Sequence, residues 1–206
     1  MTVAKQITEQ AGSLFDVVGS SRLSGGDNLL ILGLESTAGR DLDEMGHLDG
    51  VFHLYGFKKH VGPRLESLLD FIRGQGFSAE PAGPYGYPLL GEISLKKEAV
   101  RAGLGKRGKS SVVLHPKYGT RLRFMGVRTD APLEPPADST FAEEENPVCD
   151  GCSICIDECP TNALEPYRMP DIWVCLSNTS AIPTDEDGRH VLCDICLDLC
   201  PAAKEK

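Results

Sequence analysis

The sequence predicts an α+β protein in two parts, an α/β domain over residues 1–140 and a small cysteine-rich domain over residues 141–206. Three observations carry this reading. Apolar residues recur at helical spacing and then in a short unbroken run, the pattern of helix followed by buried strand. Asp130–Pro147 is rich in proline, acid and small residues and has no apolar period, as expected of a linker or wrapping segment. All eight cysteines fall between Cys149 and Cys200.

Taken in order, Val3, Ile7, Leu14, Phe15 and Val18 share the spacing of one helical face. After the Gly25-Gly26-Asp27-Asn28 turn, Leu29–Leu34 reads as a buried strand. Val61, Leu65, Leu68, Leu69 and Ile72 stripe a helix that ends near Gly74 or Gly76, and their role is core. Ser94–Ala102 reads as helix and the stretch ending at His115 as strand. A chain of 206 residues with 41% hydrophobic and 25% charged content suits one good core plus a small appendix. No stretch approaches a membrane span. The formal charge of -9 disfavours nonspecific nucleic-acid binding by the whole surface.

The cysteines form C-x2-C-x2-C-x3-C-P (Cys149, Cys152, Cys155, Cys159, Pro160), a lone Cys175, and C-x2-C-x3-C-P (Cys193, Cys196, Cys200, Pro201). This is the spacing of two 4Fe-4S clusters in a ferredoxin-like domain, where the cysteine before each proline reaches the neighbouring cluster. The first cluster then takes Cys149, Cys152, Cys155 and Cys200. The second takes Cys159, Cys193, Cys196 and, by elimination, Cys175. Disulfides would need an oxidising compartment, yet Met1–Gln10 has no apolar core for a secretory signal, so the expected location is the cytoplasm. Zinc also binds C-x2-C pairs, but a tetrahedral site has no use for a third cysteine at the same spacing or for both prolines.

Gly103 to Ser110 (GLGKRGKS) satisfies the phosphate-binding pattern G-x4-G-K-[ST]. That loop works when a strand leads into it and a helix follows. Here helix precedes and strand follows, so the glycines cap a helix and turn into a strand. Ten of the 21 lysines and arginines lie between Lys96 and Arg128 against the single acid Glu98. That asymmetry reads either as a solvated surface or as an anion site for a phosphate-bearing cofactor or an acidic redox partner. His47, His53, His60, His115 and His190 show no paired metal spacing, and Tyr55, Tyr85, Tyr87 and Tyr118 read as packing anchors. Trp173, beside Cys175, reads as a shield of the second cluster from water. No catalytic residue is assigned.

Lys97–Arg123 (KEAVRAGLGKRGKSSVVLHPKYGTRLR), Thr129-Asp130 with Leu133, and the cysteine array with its displaced Cys175 together resemble epoxyqueuosine reductases and reductive dehalogenases. The resemblance is strong over the second half of the chain and only a pattern over the first. It implies a nitroreductase-like α/β domain holding a corrinoid (cobalamin) whose cobalt is reduced through the two clusters. The block carrying Gly103, Gly105, Arg107, Gly108 and Lys109 would lie near that cofactor.

Three departures from the family shape the expectations. Epoxyqueuosine reductases continue past the clusters into helical repeats that help grip tRNA, whereas this sequence stops at Lys206, so tRNA is not expected as a substrate and a small molecule is. The acid that family places before the A-G-L-G block falls at Leu89 or Leu90, with Glu92 the nearest carboxylate. The domain before Cys149 is short, and the N-terminus lacks a twin-arginine signal. Two function classes follow. One is a cytoplasmic corrinoid-dependent oxidoreductase acting on a small substrate. The other is an electron-transfer subunit that exchanges electrons with a redox partner protein and binds no corrinoid.

Overall fold

The computed structural model describes residues 1–49, 51–88, 91, 93–136, 146–181 and 189–203. In chain order the elements are α1 (Val3–Leu14), β1 (Val17–Arg22), β2 (Asn28–Glu35), β3 (Glu44–Leu48), β4 (Val51–His53), α2 (Tyr55–His60), α3 (Gly62–Gly74), β5 (Ala79–Pro81) and α4 (Leu95–Arg101). They continue with β6 (Lys106–Arg107), β7 (Val113–Leu114), β8 (Leu122–Thr129), α5 (Ile154–Asp157), α6 (Ile172–Leu176), β9 (Thr179–Ala181), β10 (Arg189–Leu192) and α7 (Ile195–Asp198). Helices combined with antiparallel sheets make this the expected α+β class.

The chain forms two compact units that interleave in sequence. The first comprises Met1–Glu35, His60–Gly105 and Leu122–Phe141, and the second Ser36–Lys59, Lys106–Arg121 and Ala142–Lys206. The expected boundary between residues 140 and 141 lies outside the described residues.

The first unit is built on an antiparallel sheet of order β1-β2-β8-β5. The expected strand at Leu29–Leu34 is β2, and its uninterrupted burial explains its unbroken apolar sequence, since both faces of the strand are covered. Gly26, at φ +94°, turns the chain from β1 back into β2. The expected first helix stops early. Thr2 caps α1 through its hydroxyl, the helix ends at Leu14, and Val18 belongs to β1, where it opposes Leu32. Leu14, Phe15 and Val18 have helical spacing by coincidence of a helix end with a strand start. The stripe on α3 is as expected, with Leu65, Leu68, Leu69 and Ile72 buried and Pro63 in its first turn.

α4 also matches the sequence reading. Ser94 caps its start, and at its end Leu104 N–H donates to Ala99 O (2.9 Å) while Gly103 N–H donates to Val100 O (2.9 Å). This pair of bonds needs a left-handed residue, and Gly103 supplies it at φ +74°. Added β-carbons at Gly19 and Gly126 would lie 2.9 Å from Ala102 and 3.0 Å from Leu95, so these two strand glycines let α4 approach the sheet closely.

The second unit has its own antiparallel sheet, of order β4-β3-β10-β9, which joins the hairpin of residues 44–53 to strands on either side of residues 182–188. Arg189 reaches back from β10 to Glu44 at 3.1 Å and lies over the Tyr55 ring. Among the described residues, no helix is long and apolar enough to cross a membrane.

Candidate metal centres

The second unit holds all eight cysteines, and none is in a disulfide. Each motif runs into a very short helix, α5 after Cys152 and α7 after Cys193, and these two helices contact one another. Proline after Cys159 and Cys200 ends each turn and redirects the chain.

The electrostatics gather Cys149, Cys152, Cys155 and Cys200, and they set Cys196 among Cys175, Cys193 and Cys159 with Cys155 also near it. Burial pushes the Cys155 thiol up, and the neighbouring charges that push it further are Cys149, Cys200 and Cys152. Burial likewise raises Cys200, which the Ala202 N–H opposes and Cys149 and Cys152 reinforce. Cys196 is pushed up to about 12 by burial first and then by Cys175, Cys193, Cys155 and Cys159. Cys159, Cys175, Cys193 and Cys196 also line one cavity, together with Leu164 and Met169. The structure therefore brings Cys149, Cys152, Cys155 and Cys200 together and, beside them, Cys159, Cys175, Cys193 and Cys196. Each group takes one member from the distant motif.

Four thiolates in a half-buried site repel one another and are unstable without a cation among them. Among the described residues, no three His, Cys, Asp or Glu side chains converge on a point that would hold a single ion. A cubane makes no such demand, because each thiolate binds a different iron corner. The donor set fits two 4Fe-4S clusters. Cys159 stands apart electrically: burial raises it, but N–H groups of Ala163 and Thr161 and the Thr161 hydroxyl outweigh that and lower it. Ala163 N–H lies 3.3 Å from its sulfur.

The block expected near a cofactor is a β-hairpin. Lys106 opposes Leu114 and Arg107 opposes Val113, with Gly108 N–H donating to Val112 O (2.8 Å). No helix follows, so the block lacks the phosphate cradle that its letters suggest. Gly108 is buried, and an added β-carbon there would sit 3.1 Å from Leu114. Arg107 donates to Ser111 Oγ (3.1 Å). Gly105 has φ +149° and leads into β6. At the hairpin tip, Lys109 N–H donates to Cys149 Sγ (3.4 Å) and its ammonium donates to Cys152 O (2.9 Å).

Two residues absent from the sequence reading stitch this hairpin to the cysteines. Asn146 is buried, caps the turn entering Cys149 by accepting from Val148 N–H, and donates to Arg107 O (3.2 Å). Tyr167 N–H donates to Lys109 O (3.1 Å). An asparagine before a proline-led turn is a readable cap signal, whereas the Lys109 contact spans 40 residues of sequence and leaves no local trace.

Other expected positions have plainer roles. His115 Nδ1 accepts from the amides of Lys117 and Tyr118, and burial followed by Lys117 lowers its pKa, so it is a neutral structural acceptor. Trp173 is 54% exposed and lines a cavity of about 280 Å³ with Met45, Phe52, Leu176 and His190, so it does not seal the second cysteine group from water. Leu89, Leu90 and Glu92 lie outside the described residues.

Gly119 packs closely against the chain just after Cys200. It sits at φ +57°, and an added β-carbon would fall 1.9 Å from Ala202 O, two residues beyond Cys200. Nearby, Thr120 Oγ1 donates to Leu197 O (3.1 Å). Gly119→Ala is expected to cost about 1–3 kcal/mol from the backbone alone and to push Ala202 away. Cys200 should then be the weak ligand. The check is the iron content and melting temperature of the reconstituted variant, and a wild-type value for both would refute the clash.

No family model matches the chain. It is 31% identical over 151 residues to an epoxyqueuosine reductase of Bacillus subtilis, covering 69% of this chain and 37% of that protein. The epoxyqueuosine reductase of Pseudomonas aeruginosa is 32% identical over 158 residues, covering 70% of this chain and 40% of the relative. The chain spans about a third of the length of the curated relatives it matches. Among solved structures, an epoxyqueuosine reductase with an epoxyqueuosine-modified tRNA stem loop superposes with a TM-score of 0.63 at 20% identity, covering 98% of this chain and 65% of that one. A reductive dehalogenase structure bearing on B12-dependent dehalogenation superposes with a TM-score of 0.66 at 16% identity, covering 97% and 31%.

These comparisons overturn the expectation against tRNA, because a relative of this fold has been solved with a tRNA stem loop. That expectation rested on where the sequence stops, which carries no information about substrate. By name the relatives are reductases, and this chain carries an iron–sulfur pattern of cysteines. In sequence it is a relative of the epoxyqueuosine reductases, and it shares its fold with them and with reductive dehalogenases.

Proposed function

We propose that the chain holds two 4Fe-4S clusters, with all eight ligands in residues 141–206, and relays electrons in a reductive reaction on a tRNA-borne nucleoside. The observation that carries this reading is the sorting of eight free cysteines into two groups of four, each with one member from the far motif. Such clusters, when bound, supply one-electron chemistry. The chain's own residues hold the clusters, donate amides to Cys149 and Cys159, and position Cys200 through Ala202 and Gly119. The nucleoside is supported by the names of the relatives, one of them solved with a modified tRNA stem loop. The excess of base between Lys96 and Arg128 gives a chain of net charge -9 a local means of neutralising phosphates.

A corrinoid as electron acceptor is the finer part of this proposal, favoured by the likeness to a dehalogenase of B12-dependent chemistry. Free thiols in this number call for a reducing compartment, so the cytoplasm is the proposed location. The test is anaerobic reconstitution with iron and sulfide, incubation with cobalamin, gel filtration, and spectra with and without reductant. A parallel titration uses a tRNA stem loop at two salt concentrations. About eight irons per chain, corrin eluting with the protein, and salt-sensitive stem-loop binding are the expected results. Eight irons without corrin would favour transfer to a redox partner protein. No binding of the stem loop at low salt would remove the proposed substrate.

A further inference from the structure

The contacts of Lys109 are unusual for a lysine at a hairpin tip. Its main chain and its side chain engage the same cysteine loop, the amide at Cys149 Sγ and the ammonium at Cys152 O, while Tyr167 holds its carbonyl. Asn146 also fixes the hairpin, donating to Arg107 O and capping the turn into Cys149. Ser111, buried and at φ +66°, closes the tip by donating its N–H to Gly108 O. Lys109 is thus held in place by contacts that the rest of the hairpin enforces.

We propose that Lys109 is a positioning residue that raises the reduction potential of the cluster held by Cys149, Cys152, Cys155 and Cys200, with no matching effect on the other cluster. The inference rests on the two-cluster reading. Reduction adds one electron and no proton, so the site becomes more negative by one charge. A fixed cation at the loop and an amide aimed at a ligand sulfur both favour that more negative state. Partial burial keeps the interaction from being fully screened. The second group has neutral donors instead, the Ala163 amide and the Thr161 hydroxyl at Cys159.

The experiment is a dithionite titration of the reconstituted full chain, followed by paramagnetic resonance, for wild type, Lys109→Gln, Lys109→Arg and Lys106→Gln. Lys109→Gln should shift the reduction equilibrium of the first cluster at least tenfold toward the oxidised form, about 59 mV for one electron, and leave the second cluster in place. Lys109→Arg should return most of the shift. Lys106→Gln removes an exposed charge from the same hairpin and should move neither cluster by more than about twofold, as screening predicts. Should glutamine disturb assembly, Lys109→Met keeps the aliphatic stem and faces the same threshold. A first-cluster equilibrium within twofold of wild type, or an equal shift in both clusters, overturns the inference. A wild-type chain that cannot hold about eight irons overturns the two-cluster reading as well, and iron content tells the two failures apart.

Discussion

Stripping the iron from the reconstituted protein is expected to unfold residues 146–181 and 189–203 while the β1-β2-β8-β5 sheet stays protected. The first unit and the cysteine segment of the second draw their stability from different sources. In the first, Ile7, Leu29, Leu30, Ile31, Leu32, Leu34, Leu68, Ile72, Met125 and Val127 are fully buried. At about 1.5–3 kcal/mol for each large side chain, that core can hold a sheet. In the cysteine segment only Asn146, Cys149, Ala163 and Leu164 are buried among the described residues. Its helices span four or five residues, too short to persist unaided. Ordering about fifty described residues costs roughly 1–2 kcal/mol each in backbone entropy, and four buried side chains cannot offset that. Under the proposed two-cluster reading, thiolate–iron bonds supply the difference. Hydrogen exchange before and after chelation reads this directly. Amides of 189–192 should lose protection, and those of 28–35 and 122–129 should keep it. Equal protection with and without iron would mean that the segment folds on side-chain packing alone.

Cys159→Ala is expected to remove the second cluster while sparing the first, although Cys159 lies in the first motif. Its sulfur lines the cavity shared with Cys175, Cys193 and Cys196, and the Ala163 amide holds it there. Iron should fall by about half, and the surviving resonance signal should respond to Lys109. Cys200→Ala should do the converse. Loss of the first cluster from Cys159→Ala would break the crossed arrangement. Loss of both from either variant would mean that neither half of the segment folds without the other.

Much of this was legible in the sequence because the signals are local. The stripe on α3 needs only a period of 3.6, the end of α4 needs a glycine at one position, and β2 needs an unbroken apolar run. The grouping of cysteines is the one expected from spacing and the two prolines, with Cys175 assigned by elimination. β8 (Leu122–Thr129) escaped because Arg123, Gly126 and Arg128 break its apolar run. Its register against β2 is set by the pairs Leu30 with Val127 and Leu32 with Met125, which no local pattern reveals. The residues 44–53 escaped for a similar reason, since β3 finds its partner in β10, far along the chain. Lys109 belongs to the block that the family resemblance places near a cofactor. Its charge was plain from the sequence, but its neighbour was not.

The interleaving of the two units sets the order in which the protein can be made. β3 pairs with β4 at once, but its other edge cannot pair until β10 has been synthesised, and the Arg189–Glu44 ion pair between β3 and β10 spans 145 residues. At about 5–20 residues per second, the early hairpin waits roughly 7–30 s after it leaves the ribosome. Over that time its edge is open and Cys193, Cys196 and Cys200 do not yet exist, so neither group of four cysteines is complete until β10 has been made. Cells short of iron would accumulate a half-folded protein with an exposed strand edge, the form that chaperones and proteases recognise. The level of this protein in a cell should therefore follow the iron supply even where its transcription does not.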